Sequence, residues 1–255
     1  MPKQSDGAIR GADALVKALA QGGVKKIFTL SGNHIMPVFD AAFDAGIELI
    51  HTRNEAATVH MADAFARITG EVGVALVTGG PGHANAVSAL YTAQMAESPL
   101  VLLSGHAPLS QLGKGAFQEM RQADLAAPVC KASTTCVSAD EIAADIARAI
   151  RVARSGRPGP VHLSLPTDVL EAMTSVALPS EEAFFSVPLT LTYADADAIV
   201  TRLSAASRPL ILTGPICLTR AQRERINALE VASGIAVIGM ESPRGVTDPS
   251  LGAFA

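Results

Sequence analysis

Residues 99–104, PLVLLS, form a strand-length run with no apolar–polar alternation. A strand with one wet face alternates, so such a run belongs in a sheet covered on both faces, which is the habit of parallel sheets sandwiched between helices. The rest of the chain keeps the matching rhythm. Further strand-length runs at 25–30, 47–52, 72–78, 129–137 and 160–165 are separated by stretches of helical period at 8–21, 35–45, 56–68, 83–96 and from Ser138 to the stop at Gly156. Ser138 and Glu141 have the spacing of a capping box. Six strands alternating with helices over short connections predict an α/β fold with a doubly wound, six-stranded parallel sheet.

Two chemical features fall where strands end. After the second strand, Asn54 is placed to cap a helix whose first turn holds Glu55, and the spacing predicts a half-buried stripe of Ala57, Met61, Ala64, Phe65 and Ile68. After the third strand comes Gly79-Gly80-Pro81-Gly82, which matches neither a G-x-G-x-x-G fingerprint nor a phosphate loop. Ligands of doubly wound sheets bind at the edge formed by strand C-terminal ends. An acid in a first helical turn also simply complements the helix dipole, and a glycine turn also serves tight packing, so each feature alone leaves two readings open.

Composition narrows the field. A net charge of −4 with scattered basic residues, 4% aromatic residues and no Trp argue against a nucleic-acid surface. No apolar run approaches the roughly 20 residues of a membrane span, and the N-terminus has no leader pattern, so a cytoplasmic location is expected. Cys130, Cys136 and Cys217 have neither metal nor disulfide spacing, and no histidine pair has metal-ligand spacing; reduced thiols and no metal site within this chain are expected. From 171 to 192 the composition shifts to Pro, Ser and Glu and reads as a linker. Helix, strand, helix and strand then follow at 194–206, 209–213, 218–233 and 235–238. Two strands are too few to cover both faces of a doubly wound sheet, which suggests a piece of something longer.

The run Arg53-Asn54-Glu55-Ala56-Ala57, His60 through Arg67, Thr69-Gly70, Gly80-Pro81-Gly82 and Asn85 resembles the pyrimidine-binding domain of thiamine diphosphate enzymes of the acetolactate synthase group. Similar matches occur over 28–41, 115–119, 156–161 and 165–169. The resemblance implies a pyrimidine-binding domain at 1–170, a linker at 171–192 and the start of a central α/β domain at 193–255. It implies thiamine diphosphate and magnesium as cofactors, with the magnesium site on a domain whose Gly-Asp-Gly motif these residues lack. The chain alone is therefore expected to be inactive, and the whole protein a homodimer or homotetramer acting on a small molecule.

By the same resemblance Glu55 would hydrogen-bond the cofactor's pyrimidine and favour the tautomer that activates it. Pro81, Gly82 and Asn85 would line that ring, Gly32 and Asn33 would lie near the reacting carbon, and Gln118 would be an active-site glutamine. His34 agrees with benzaldehyde lyase and 2-hydroxyacyl-CoA lyase relatives rather than with the synthases, while His83 and His106 depart from the synthases. His51, His60 and His162 read as structural. The implied activity is a carboligase or decarboxylase acting on a 2-oxo acid such as pyruvate. A carbon–carbon lyase and a non-catalytic binding domain are the alternatives.

Overall fold

The computed structural model describes residues 7–187, 189–215 and 220–240, and Cys217 lies outside them. The chain divides into two compact units, residues 1–186 and 187–255. In the first, β1 (Ile9–Arg10) leads into α1 (Gly11–Gln21), β2 (Lys26–Thr29), α2 (Met36–Asp44), β3 (Glu48–His51), α3 (Glu55–Thr69), β4 (Gly73–Val77) and α4 (Pro81–Met95). Then come β5 (Leu100–His106), α5 (Gln122–Ala126), β6 (Ala132–Thr135), α6 (Ile142–Arg154), β7 (Pro160–Pro166), α7 (Thr167–Glu171) and β8 (Met173–Thr174). The main sheet has six parallel strands in the order β3-β2-β4-β5-β7-β6, as the alternation predicts.

Side-chain period sets the two layers. Val74 and Leu76 of β4 and Val101 and Leu103 of β5 face a core shared with α1, α2 and α6. Their alternates Ala75, Val77, Leu100 and Leu102 face α3, α4 and α5. Both faces of the central strands are thus dry, which explains the unbroken apolar run at 100–103. The edge strands β3 and β6 are half-exposed and shorter than the sequence suggests. Steps toward β6 put their helices on one face and steps toward β3 put them on the other, as right-handed crossovers require. The direction reverses between β2 and β4, so the loops after these two strands open a crevice at a topological switch point.

Helix α3 departs from its predicted stripe. Met61 is 40% and Ile68 79% exposed, and burial falls instead on Thr58, Val59, Ala62, Asp63 and Ala66. The cause is close approach: a Cβ on Gly73 of β4 would overlap the Ala62 backbone, so the helix lies on the sheet by its small residues. The capping box at Ser138 does not form either. Ser138 Oγ accepts from Asp140 N at 3.1 Å, Thr174 Oγ1 donates to Asp140 Oδ1 at 2.6 Å, and α6 starts later, at Ile142. Part of the stretch at 171–192 is also ordered: β8 pairs antiparallel with β1, and Phe184 is 1% exposed in the core beside α1 and α6.

The second unit holds α8 (Tyr193–Ala205), β9 (Ile211–Thr213), α9 (Arg220–Ser233) and β10 (Val237–Gly239). β9 and β10 are parallel, and the buried Glu230 accepts from Val237 N at 2.8 Å, fixing the turn between α9 and β10. No helix among the described residues is long and apolar enough to cross a membrane.

Candidate functional site

Glu55 opens α3 directly after β3. Asn54, in extended conformation, accepts from Ala56 N at 2.9 Å and Ala57 N at 3.4 Å, so the cap read from the sequence forms and fixes where the helix begins. Across the crevice, the turn after β4 starts α4. Asn85, one turn into that helix, donates from Nδ2 to Glu55 Oε2 at 3.1 Å. The other carboxylate oxygen lies beside Gly82, where an added Cβ would stand 3.4 Å from Glu55 Oε1 and 2.7 Å from Thr78 Cγ2. Gly82 is buried, and the missing side chain lets the turn pack close against Thr78 and the carboxylate.

Thr78 links these parts. Its side chain fills the space a Cβ on Gly32 would need, and its hydroxyl lies 3.2 Å from His34 Nδ1. His34 Nε2 lies 3.3 Å from the carbonyl of Phe117, whose ring it stacks on at 5.7 Å between centroids. A carbonyl only accepts, so Nε2 carries the proton and Nδ1 accepts from Thr78. Burial of His34, 3% exposed, lowers its pKa below the ordinary histidine value; the Phe117 carbonyl works against this, and neighbouring His106 adds to it. Both ring nitrogens therefore have partners within the chain. Gln118, next to Phe117, is held at φ +56°, and a Cβ on Gly80 would sit 2.8 Å from its Cβ.

The structure thus brings Glu55, Gly82 and Asn85 together and joins them through Thr78 and Gly80 to Gly32, His34 and Gln118. Pro81 is the first residue of α4, where its lost N–H costs nothing. Asn33 is exposed and instead lines a cavity of about 550 Å³ with Arg10, Asp40 and Thr167.

Behind the glycine turn lies a buried polar cluster. Gln122, 1% exposed, accepts from Gly80 N at 2.8 Å, and the two hydrogens of its Nε2 are shared among Ser104 Oγ and Gly105 O, each at 3.1 Å, and Ser164 Oγ at 3.2 Å. His83 donates from Nε2 to Gln122 O at 3.0 Å, and its Nδ1 lies 3.1 Å from Ser104 Oγ. His162 contacts Ser104 Oγ and Ser133 Oγ at 2.6 and 2.8 Å. Burial pushes the His83 pKa down to about 4 and that of His162 well below its ordinary value, so both rings are neutral near pH 7. His83 and His162 are structural here. The His106 ring nitrogens Nδ1 and Nε2 lie 2.8 and 3.2 Å from the main-chain carbonyls of Ala107 and Met120. Cys130 and Cys136 are free thiols, and no group of three or more potential metal ligands occurs among the described residues.

A doubly wound sheet with a glycine turn at its switch point, reached by Glu55 from the end of the neighbouring β3, has the layout of ligand-binding α/β domains. Residues 9–125 match the family of thiamine pyrophosphate enzymes, N-terminal TPP binding domain. Zebrafish (Danio rerio) 2-hydroxyacyl-CoA lyase 2 is 44% identical over 160 residues, covering 63% of this chain and 26% of the relative. Acetolactate synthase isozyme 3 large subunit of Escherichia coli (strain K12) is 35% identical over 235 residues, 90% of this chain and 41% of the relative. A probable acetolactate synthase large subunit of Methanocaldococcus jannaschii is 42% identical over 161 residues, 63% of this chain and 27% of the relative. Through this N-terminal region the chain is similar to enzymes of the thiamine pyrophosphate group. It spans well under half the length of the curated relatives it matches.

The residues present fit the pyrimidine end of such a cofactor. Glu55 is half-buried; Asn85 donates to one of its oxygens, and the other, beside Gly82, is an acceptor of the kind a ring nitrogen donor requires.

Proposed function

We propose that the protein is a thiamine diphosphate-dependent enzyme that makes or breaks a carbon–carbon bond next to a carbonyl, as an acetolactate synthase-like carboligase or decarboxylase of a 2-oxo acid. When bound, thiamine diphosphate supplies the nucleophilic carbon and the electron sink. The chain's own part is placement and charge. Glu55 would accept a hydrogen bond from the pyrimidine, Asn85 holds the carboxylate in line, and Pro81 and Gly82 would pack against the ring. Gly32, His34 and Gln118 would border the reacting carbon, while Asn33 lines the separate cavity beside Arg10 and Asp40.

The observation that carries this reading is the Glu55–Asn85 pair, 3.1 Å apart, beside the close-packed glycine turn at Gly82. A carboxylate serving only the helix dipole needs no partner from α4. Magnesium, a dimeric or tetrameric assembly and a cytoplasmic location belong to the same proposal, as does a second domain beginning at residue 193. Residues 1–255 lack the Gly-Asp-Gly motif and alone should not turn over.

A second reading, a 2-hydroxyacyl-CoA lyase, is favoured by His34 and by the 44% identity to the zebrafish lyase. Offering the natural-length protein pyruvate and, separately, a 2-hydroxyacyl-CoA, each with thiamine diphosphate and magnesium, decides between them. Acetolactate from pyruvate supports the first reading. Aldehyde and formyl-CoA from the thioester alone supports the second, and no cofactor-dependent turnover of either refutes both.

A further inference from the structure

The proposed chemistry makes no use of Gln122, yet its amide has partners on every side. Its oxygen accepts from Gly80 N, and its nitrogen faces Ser104, Gly105 O and Ser164 on β5 and β7. The orientation is dictated: the nitrogen must meet the Gly105 carbonyl and the oxygen must meet an N–H, so the amide has one way round. Ser104 is itself held by His83 and His162, which stops the amide from turning.

What the amide grips is the conformation that shapes the site. Gly80 sits at φ +58°, ψ −116°, a region open essentially to glycine alone. It is buried, so its N–H would have no water to replace a lost acceptor. On one side this turn launches α4, which carries Pro81, Gly82 and Asn85. On the other it leans on Gln118, 2.8 Å from a Gly80 Cβ.

We propose that Gln122 is the positioning residue of this site, clamping Gly80 so that the start of α4 and Gln118 both stand where the cofactor ring and substrate need them. This rests on the reading of the edge as a thiamine diphosphate site. Gln122 touches neither cofactor nor substrate. It acts through the Gly80 amide, and the two buried histidines act through Ser104 to hold Gln122.

The test compares Gln122→Met, similar in length but without polar atoms, with Gln122→Glu, which keeps an acceptor for Gly80 N. Both are made in the protein at its natural length. In the Met variant the Gly80 amide should exchange with deuterium roughly 10-fold faster, the value of one hydrogen bond, while the amides of Val74 to Val77 stay protected. Half-saturation by thiamine diphosphate should rise by about 10-fold or more, and turnover at saturating cofactor should fall as well, because Gln118 loses its place. The Glu variant should regain Gly80 protection.

Parent-like Gly80 exchange and cofactor affinity in the Met variant would overturn the proposal. So would equal loss of protection throughout β4, because Gln122 would then be only part of the core. A parent protein that binds no thiamine diphosphate overturns the functional reading and the role drawn from it. Gly80 exchange distinguishes that failure from failure of the clamp.

Discussion

Replacing Gly82 by Ala sets two effects against each other. In an open helix the change stabilises by about 1 kcal/mol. Here the new methyl would stand 2.7 Å from Thr78 Cγ2, against an ordinary carbon–carbon contact of about 3.5–4.0 Å. Turning Thr78 away breaks its hydroxyl contact with His34 Nδ1 at 3.2 Å, worth about 1 kcal/mol. Leaving it in place costs the roughly 1–3 kcal/mol of an overpacked site. Set against the helix gain, these costs leave Gly82→Ala between neutral and destabilising by about 2 kcal/mol. Thr78→Ser removes Cγ2 and keeps the hydroxyl, so in that background Gly82→Ala should be neutral or mildly stabilising. The coupling between the two, read by urea denaturation of the four proteins, should be about 1–3 kcal/mol. Effects that add within about 0.5 kcal/mol would refute the packing argument. Stability and binding should also part company. The double variant should fold well, yet its new methyl would lie 3.4 Å from Glu55 Oε1 and crowd that oxygen, so thiamine diphosphate should still bind weakly.

Acid should weaken the fold through the buried histidines. The His83 pKa stands at about 4 in the fold against 6.5, so as pH falls below 6.5 the unfolded chain takes the proton first, and stability is lost until about pH 4. At 1.36 kcal/mol per pKa unit this one group is worth roughly 3 kcal/mol, with His162 acting in the same direction. Denaturation midpoints at pH 7, 5.5 and 4 should show a shallower acid limb in His83→Gln than in the parent; identical limbs would contradict the assignment. If His34 moves a proton for the bound substrate, His34→Ala in the natural-length protein should cut turnover about 10²-fold or more. A fall in melting temperature with turnover of the folded fraction intact would leave it as the anchor of Phe117 only.

Local rules carried the sequence reading where local forces decide. Asn54 caps α3 because a short side-chain oxygen before a helical run has few other uses, and the strands after which Glu55 and the glycine turn emerge could be counted from their apolar runs. The face of α3 was not legible. Periodicity favours the larger Met61 and Ile68, but the sheet accepts the helix only by Ala62 and Ala66 above Gly73, and that preference is a property of the pair. Thr78 and Gln122 were missed for the same reason. Gln122 gains its meaning from Gly80, 42 residues away, and nothing in its own neighbourhood marks it. One signal was present: His162 and Ser164 break the apolar run of β7 at alternate positions, placing two polar groups on one buried face. Such groups need partners, and Ser104, the polar end of residues 99–104, is one of them.

The central claim is that Glu55 activates a bound thiamine diphosphate, and exchange of the cofactor's C2 proton for deuterium tests it before any substrate is chosen. Glu55→Gln keeps the shape and the contact with Asn85 but cannot ionise. With cofactor bound to the natural-length protein, the account expects exchange in this variant to be roughly 10²- to 10⁴-fold slower than in the parent, the span of acid–base assistance. A Gln variant that binds the cofactor and exchanges the proton as fast as the parent would reduce Glu55 to a helix-dipole residue and contradict the account.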